Sequence, residues 1–529
     1  MKGKAKVLSL LLAAAMTAGL FAGCNGGGGG GTSSTGSTGG DTGSTGSTGS
    51  TGGSSGEITE INWNIWASSE PTAAAEVIAE LNKKSEADIG IRVNFLWTVG
   101  SADAVKTAMQ AGDKNLDIAF CCNWWADYPG SAQMGYMADL TDLLPEVTPT
   151  LYNKLPSLLW EGVKVNGRIY GVPTWKDAAA EIFWMGRKDT LEGAGAVEDF
   201  YAATSEDFSK LTPVLEKVKA WHDADPDTNA YSEGTTAPFT MNKGGINPMT
   251  PNWDMGVSSP PIGVKIEEGN TTVMWAYDDP DLVKNCYTLK DWADRGLSNG
   301  KEAAQVEQEP QTINVWCGQG WEGAQYTAWG GPNKGYDTLI ASRCGPFLTS
   351  AYVQGGVNII GANSSKVEPS LKYLEYVNTN EDYRNMMAYG VEGVTYKVAG
   401  TTADGKPIVD RTELGTGWTT ANFTVGTMDL LWPDSNLPES QYDVNARICD
   451  MVNNATASSL MGFVLNTENV QTQIAACDSI WKEYDGTLRR GDSNDVDATI
   501  AEAKKRLMEV GLQDVIDEYQ KQANEFLGK

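Results

Sequence analysis

Histidine is almost missing from this chain of 529 residues: His222 is the one example. A multi-histidine metal centre is not expected from a single imidazole, and any Ser-His-Asp triad would have to use His222 itself. His222 stands in Lys219-Ala220-Trp221-His222-Asp223 at the predicted end of a helix, where a cationic or capping role is favoured over catalysis. Positive charge is also scarce, with 40 Lys and Arg against 68 Asp and Glu and a formal net charge of −28. So acidic a chain does not bind nucleic acid or an anionic membrane face through its overall field, and its self-repulsion suits a monomer. Beyond residue 20 no apolar run approaches membrane-spanning length. Cysteine is sparse and unpatterned. After Cys24 there remain Cys121, Cys122, Cys286, Cys317, Cys344, Cys449 and Cys477, an odd number with no C-x-x-C spacing. Most are expected as reduced core residues, with room for one disulfide.

The N-terminus is the most informative segment. Lys2, Lys4 and Lys6 precede an apolar run over residues 7–20, which closes in Phe21-Ala22-Gly23-Cys24. That is a charged region, a short hydrophobic region and a small-residue cleavage site, so residues 1–23 are expected to be a signal peptide. Residues 24–56 are Gly, Ser and Thr with almost nothing else. They hold no apolar side chain to offset the entropy of ordering, and a tether of this kind has a root-mean-square reach of roughly 30 Å. A cysteine at the cut point followed by a tether resembles the lipobox of bacterial lipoproteins, with Phe21 in place of the usual aliphatic residue. The resemblance implies a diacylglyceryl group on the Cys24 thiol, palmitate among its chains, and anchoring to the outer face of a cell membrane.

The remainder is too long for one core and predicts two lobes. Ile61, Trp63 and Ile65 alternate as a strand, and Ser69 with Glu70 and Pro71 opens a helix bearing Val77, Ile78 and Leu81. A second strand (Ile91, Val93, Phe95, Trp97), a short helix and a third apolar strand follow. This β-α-β-α-β order implies a parallel sheet with right-handed crossovers. Asn166-Gly167 predicts a type I′ hairpin between residues 163–165 and 168–170. Residues 271–277 read as a strand, and Asp278, Asp279 and Pro280 open a helix with Leu282, Leu289 and Trp292 on one face. Ser365-x-x-Glu368 reads as a capping box, and the C-terminus is helical over 467–484 and 497–527 with a break at Gly511.

Tryptophan is abundant, 18 against 11 phenylalanines, where a plain core would favour Phe. In open parallel sheets, ligands bind beyond the carboxyl ends of the strands. Trp66 follows the first predicted strand, and Asn123-Trp124-Trp125 follows the third, with Tyr128 close behind. Two further groups fall at crossovers or loops: Trp175-Lys176-Asp177, and Trp321, Glu322 and Trp329. Flat indole faces beside amides and carboxylates suit a sugar, which has an apolar face and a polar rim. Trp66, Asn123, Trp124, Trp125, Tyr128, Trp175, Asp177, Trp321, Glu322 and Trp329 are therefore the expected ligand-binding residues, against the plainer alternative that each indole is core. Gly318-Gln319-Gly320-Trp321-Glu322-Gly323 fits a dinucleotide motif by letter, but no helix is predicted after it. Arg490-Gly491-Asp492 reads as a polar turn.

With its anchor and tether, the chain resembles the extracellular solute-binding lipoproteins of carbohydrate-type ABC importers, in the maltose-binding-protein-like superfamily. The likeness is carried by Asn166-Gly167-Arg168-Ile169-Tyr170-Gly171-Val172-Pro173, by the strand and helix over 356–376, and by Tyr389-Gly390-Val391-Glu392-Gly393-Val394-Thr395-Tyr396. Ser459-Leu460-Met461-Gly462-Phe463 and Gly511-Leu512 resemble the tail domain of one subgroup. The resemblance implies a type II two-lobed α/β fold, hinged between discontinuous lobes at 57–173 plus 346–425 and 174–345 plus 426–529. It further implies a non-enzymatic protein that closes on an oligosaccharide and docks on permease subunits. A peptide ligand, a surface glycoside hydrolase and an adhesin are the alternatives. Asp225, Asp227, Asn229, Tyr231 and Glu233 have the alternating oxygen spacing of a calcium loop, and relatives carry such a loop in a similar setting. Ala230 replaces its turn glycine, which favours a solvated acidic turn; no other cofactor is expected.

Overall fold

The computed structural model describes residues 57–529 apart from 229, 230, 232–234, 236, 308–312, 328, 330–334 and 416. Cys24, its leader and the tether lie outside the described residues. β1 (Thr59–Ala67) buries Ile61, Trp63 and Ile65 and leaves Asn62, Asn64 and Trp66 half-buried, as its alternation predicts. Burying each such large apolar side chain contributes about 1.5–3 kcal/mol. α1 (Ala74–Ile89) starts five residues beyond the predicted Ser69, and Ala73 at its N-cap makes no side-chain bond. The Ala73 amide instead donates to the Gly417 carbonyl at 2.8 Å, so a distant loop supplies the cap. β2 (Ile91–Val99), α2 (Asp103–Ala111) and β3 (Ile118–Cys121) complete the parallel unit, with β1 between the other two strands. The hairpin forms as β4 (Lys164–Val165) and β5 (Arg168–Ile169), with Asn166 and Gly167 both left-handed as a type I′ turn requires. β6 (Gly171–Pro173) follows.

The chain then leaves the first core along β7 (Ala180–Arg187): Ala179 packs in that core, and Trp184 packs in a second. β8 (Trp253–Val257), β9 (Ile262–Lys265) and β10 (Val273–Trp275) form an antiparallel sheet of the second lobe. The following helix (Pro280–Asp294) is capped by the Asp279 carboxylate as predicted. β11 (Val315–Gly320) pairs with β7, and β12 (Thr338–Leu348) returns along the other side of β7, from Ala341 in the second core to Leu348 in the first. Gly345 sits in a bulge of β12 at φ 96°, and a Cβ there would lie 2.4 Å from the Ala180 carbonyl oxygen. Two crossing strands therefore touch backbone to backbone.

β13 (Val357–Ile359) rejoins the first sheet, whose order is β2-β1-β3-β13-β6. The helix Val367–Thr379 buries Leu371, Leu374 and Tyr376 but lacks the predicted capping box, since its N-cap is Lys366 with no side-chain bond. Ser364 is engaged there instead, its hydroxyl donating to buried Asp117 at 2.6 Å. β14 (Lys397–Thr401) and β15 (Pro407–Asp410) make a peripheral hairpin. The expected lobe boundary at 425 is displaced. Met451 and Val452 still pack in the first core, and Leu460 is the next residue to join the second. Arg384 and Asn385 hold residues 427 and 430 to the first lobe by bonds to their carbonyls, which apolar patterning does not reveal. The third crossing is β16 (Thr456–Ala457), parallel to the end of β12. The crossings thus fall near residues 180, 345 and 457, where the sequence predicts 173, 345 and 425.

The tail helices Gln471–Trp481, Val496–Glu509 and Leu512–Phe526 contribute buried residues to the second core, and Gly511 at φ 106° separates the last two. Arg490-Gly491-Asp492 is a turn in which Arg490 pairs with Asp492 at 3.0 Å. The glycine motif at 318–323 is followed by a short 3₁₀ turn (Ala324–Tyr326), not a nucleotide-binding helix. All seven cysteines among the described residues are free.

Candidate functional site

The carboxyl ends of β1 and β3 carry a chain of rings. Trp66 stands 6.1 Å from Phe423, Phe423 6.4 Å from Phe120, and Phe120 6.1 Å from Trp124. Trp124 is 38 % exposed, and its indole Nε1 donates to the Gly355 carbonyl at 3.1 Å. A large indole left open beside buried rings offers a flat apolar face with one edge fixed. Beside it, the Lys176 ammonium lies 6.0 Å from the Phe423 ring centre and 2.9 Å from Asp177. Asn123 donates to the Ala351 carbonyl at 2.8 Å, while its own side-chain oxygen is buried without a partner.

Two expected site residues lie beneath this surface. Trp125 is 9 % exposed and bonded to the Gly100 carbonyl at 3.4 Å. Tyr128 is 0 % exposed, donates to the Val163 carbonyl at 2.8 Å and has its phenol pushed up by burial. Tyr128 is therefore a core residue and is removed from the site. Its hydroxyl bridges the Val163 carbonyl and the Tyr170 amide, which flank the β4–β5 hairpin, a role its spacing from Trp125 does not betray.

The second lobe contributes the segment after β11. Trp321 packs against the first lobe's core, and its Nε1 is buried without a partner. Glu322 pairs with Arg447 at 3.1 Å, and Arg447 also pairs with Asp443 at 3.1 Å. Arg447 belongs to the short helix Val444–Asp450, whose Cys449 carbonyl accepts the Trp175 indole at 2.8 Å. That helix therefore connects Trp175 to the Trp321 segment. Trp329 lies instead along β11, over Gly318 and Gly320, and packs with Phe183, Met185 and Trp316. Glu181, at the start of β7, accepts the Ser342 hydroxyl at 2.7 Å. Burial pushes its carboxyl up, and nearby Glu322 adds to this. Phe423, Lys176, Arg447 and Glu181 were not among the expected residues.

Of the calcium-loop residues, Asn229 and Glu233 lie outside the described residues. Asp225 and Asp227 are exposed, and Asp225 accepts the Asp227 amide at 3.1 Å in a local turn. The Tyr231 ring stands 4.0 Å from His222, which closes the end of the helix Thr212–Ala224. Among the described residues, no group of three or more His, Cys, Asp or Glu could hold a metal ion.

Residues 66–293 match the family described as bacterial extracellular solute-binding protein, and residues 459–528 match a domain of unknown function (DUF3502). A carbohydrate ABC transporter substrate-binding protein of Streptococcus pneumoniae serotype 4 is 26 % identical over 477 residues, 87 % of this chain and 89 % of that protein. Over residues 66–293 the chain is thus similar to the bacterial extracellular solute-binding proteins. The N-glycan transport solute-binding protein NgtS of Streptococcus pneumoniae shares the fold of this chain, with a TM-score of 0.76 at 24 % identity. That match covers 89 % of this chain and 99 % of NgtS. NgtS in complex with Man5GlcNAc, over the same shares of the two chains and at the same identity, gives 0.63. The fold is thus the two-lobed type II fold of these solute-binding proteins.

Proposed function

We propose that this protein captures an oligosaccharide between its lobes and delivers it to the permease of an ABC importer. The carrying observation is the run of rings Trp66, Phe423, Phe120 and Trp124 at the strand ends, flanked by the Lys176–Asp177 pair. Rings bordered by fixed polar groups are what a sugar's apolar face and hydroxyl rim require. The carbohydrate and N-glycan in the names of its relatives support the same class. Closure about the three crossing strands would hold the bound chain between the ring surface and the second lobe, and no bond in the ligand is made or broken. Cys24 would carry the lipid that holds a monomer, on its tether, outside the membrane.

Thermal unfolding of the purified chain, with neutral oligosaccharides such as Man5GlcNAc and with short peptides, tests the ligand class. A ligand at a hundred times its Kd adds about 2.7 kcal/mol of stability, a readily measured rise in Tm. A rise with a glycan that is recovered uncleaved is expected. A rise with peptides alone overturns the sugar, and hydrolysis of the glycan overturns the receptor. For the anchor, mass spectrometry of the mature protein should find a diacylglyceryl adduct at Cys24, and Cys24→Ala should release the protein into the medium. An unmodified Cys24 would remove the anchor.

A further inference from the structure

The second lobe's side of the cleft has polar groups that the protein leaves unmatched. Glu181 receives one hydrogen bond, from Ser342, and forms no ion pair among the described residues. Its register partner on β11 is Gly320, and paired residues of adjacent strands project to the same face. On that face the Trp329 Nε1 stands 3.0 Å from where a Cβ on Gly320 would be. Glu181 and the Trp329 indole therefore share one surface, at the point where the Trp321 segment departs toward the first lobe. The Nε1 atoms of Trp321 and Trp329 are both buried without partners. The cations nearby are committed: Lys176 to Asp177, and Arg447 to Glu322 and Asp443. The surface thus presents a carboxylate acceptor beside an indole ring, and no Lys or Arg among the described residues forms an ion pair with that carboxylate.

We infer that Glu181 is the second lobe's acceptor for ligand hydroxyls, and that the cleft selects neutral oligosaccharides against chains carrying phosphate, sulfate or a carboxylate. This rests on the reading of the chain as an oligosaccharide receptor. A carboxylate takes two hydroxyl donors at once, whereas an anionic substituent placed there meets Glu181, whose charge no cation among the described residues pairs with. The chain's net charge of −28 opposes anion approach in the same sense.

The test is calorimetric titration of the full mature chain with Man5GlcNAc and with the same glycan bearing one mannose 6-phosphate. Wild type should bind the neutral probe and hold the phosphorylated one at least roughly tenfold more weakly. Glu181→Gln keeps an oxygen for Ser342 but loses the charge, and should weaken the neutral probe roughly ten- to hundredfold while narrowing the gap between the two. Ser342→Ala, which frees the carboxylate to turn away, should give a smaller loss with an unchanged preference. Equal affinity of wild type for both probes, or a folded Glu181→Gln of unchanged affinity, overturns the inference and leaves the receptor standing. Failure of the neutral probe to bind wild type overturns the inference with the ligand it names, and the thermal screen then decides the receptor reading separately.

Discussion

Trp175 and Cys449 lie 274 residues apart and are joined twice. The indole Nε1 donates to the Cys449 carbonyl at 2.8 Å, and the Cys449 thiol donates to the Trp175 carbonyl at 3.2 Å. Burial pushes that thiol up, so it stays protonated and remains a donor. The Trp175 carbonyl also accepts the Met428 amide at 2.8 Å. Trp175 is thus a strut that seats residues 428–449 on the first lobe, whatever its ring offers a ligand.

Trp175→Ala should therefore cost stability before it informs on binding. Removing a mostly packed indole and its hydrogen bond is expected to lower the unfolding free energy by about 3 kcal/mol. Urea denaturation with an unchanged m-value measures this. A loss below about 1 kcal/mol would show that the strut carries no load.

Trp124 is the opposite case. Its ring is open and keeps one bond to the Gly355 carbonyl, so Trp124→Ala should change stability by no more than about 1 kcal/mol. Affinity for the glycan found in the thermal screen should fall at least roughly tenfold, because a stacking face is lost. Denaturation and calorimetry on the same preparation separate the two effects. Unchanged affinity would remove Trp124 from the site.

The contrast between these two indoles shows what the sequence conveys. Alternation at Ile61, Trp63 and Ile65 and the Asn166-Gly167 turn were legible because strand pleat and turn conformation act locally. So was the placing of Trp66 and Trp124 at strand ends. Whether an indole is open, like Trp124, or bolted down, like Trp175, depends on residues hundreds of positions away. Phe423 was missed for the same reason, since its ring meets Trp66 and Phe120 only in the folded sheet. The displaced lobe boundary has a different origin: Arg384 and Asn385 bind backbone carbonyls, and carbonyls leave no trace in a residue pattern.

The hinge yields a third prediction. Gly345→Ala forces a methyl group toward the Ala180 carbonyl oxygen, 2.4 Å from the ideal Cβ, at a backbone φ of 96°. Both strands belong to one ladder and cannot separate freely, so a loss of about 2 kcal/mol or more is expected. Gly405→Ala is the control, with φ 92° and nothing within 4 Å, and should lose about 1–2 kcal/mol through backbone strain alone. Equal losses at the two sites, measured by urea denaturation, would show that the crossing strands are not in tight contact.

Asp254 gives the fourth. It lies on β8, and burial pushes its carboxyl up to about 6, against a hydrogen bond from Ser458 that lowers it. Ser458 follows the third crossing, its amide bonded to the Leu348 carbonyl at 2.8 Å. The phenols of Tyr352 and Tyr519 feel the same carboxylate and are raised further by it. The folded protein holds the Asp254 proton more tightly than the unfolded chain does, so this group's contribution to stability falls as pH rises from about 4 to about 6. Above that window the charged form in its half-buried place on β8 costs about 1–3 kcal/mol; below it, the cost is gone. Asp254→Asn keeps an acceptor for Ser458 and removes the charge. It should exceed wild type in unfolding free energy at pH 8 by about that amount, with the difference shrinking toward zero by pH 4. A difference that stays constant across this range would mean that Asp254 does not titrate between the folded and unfolded values.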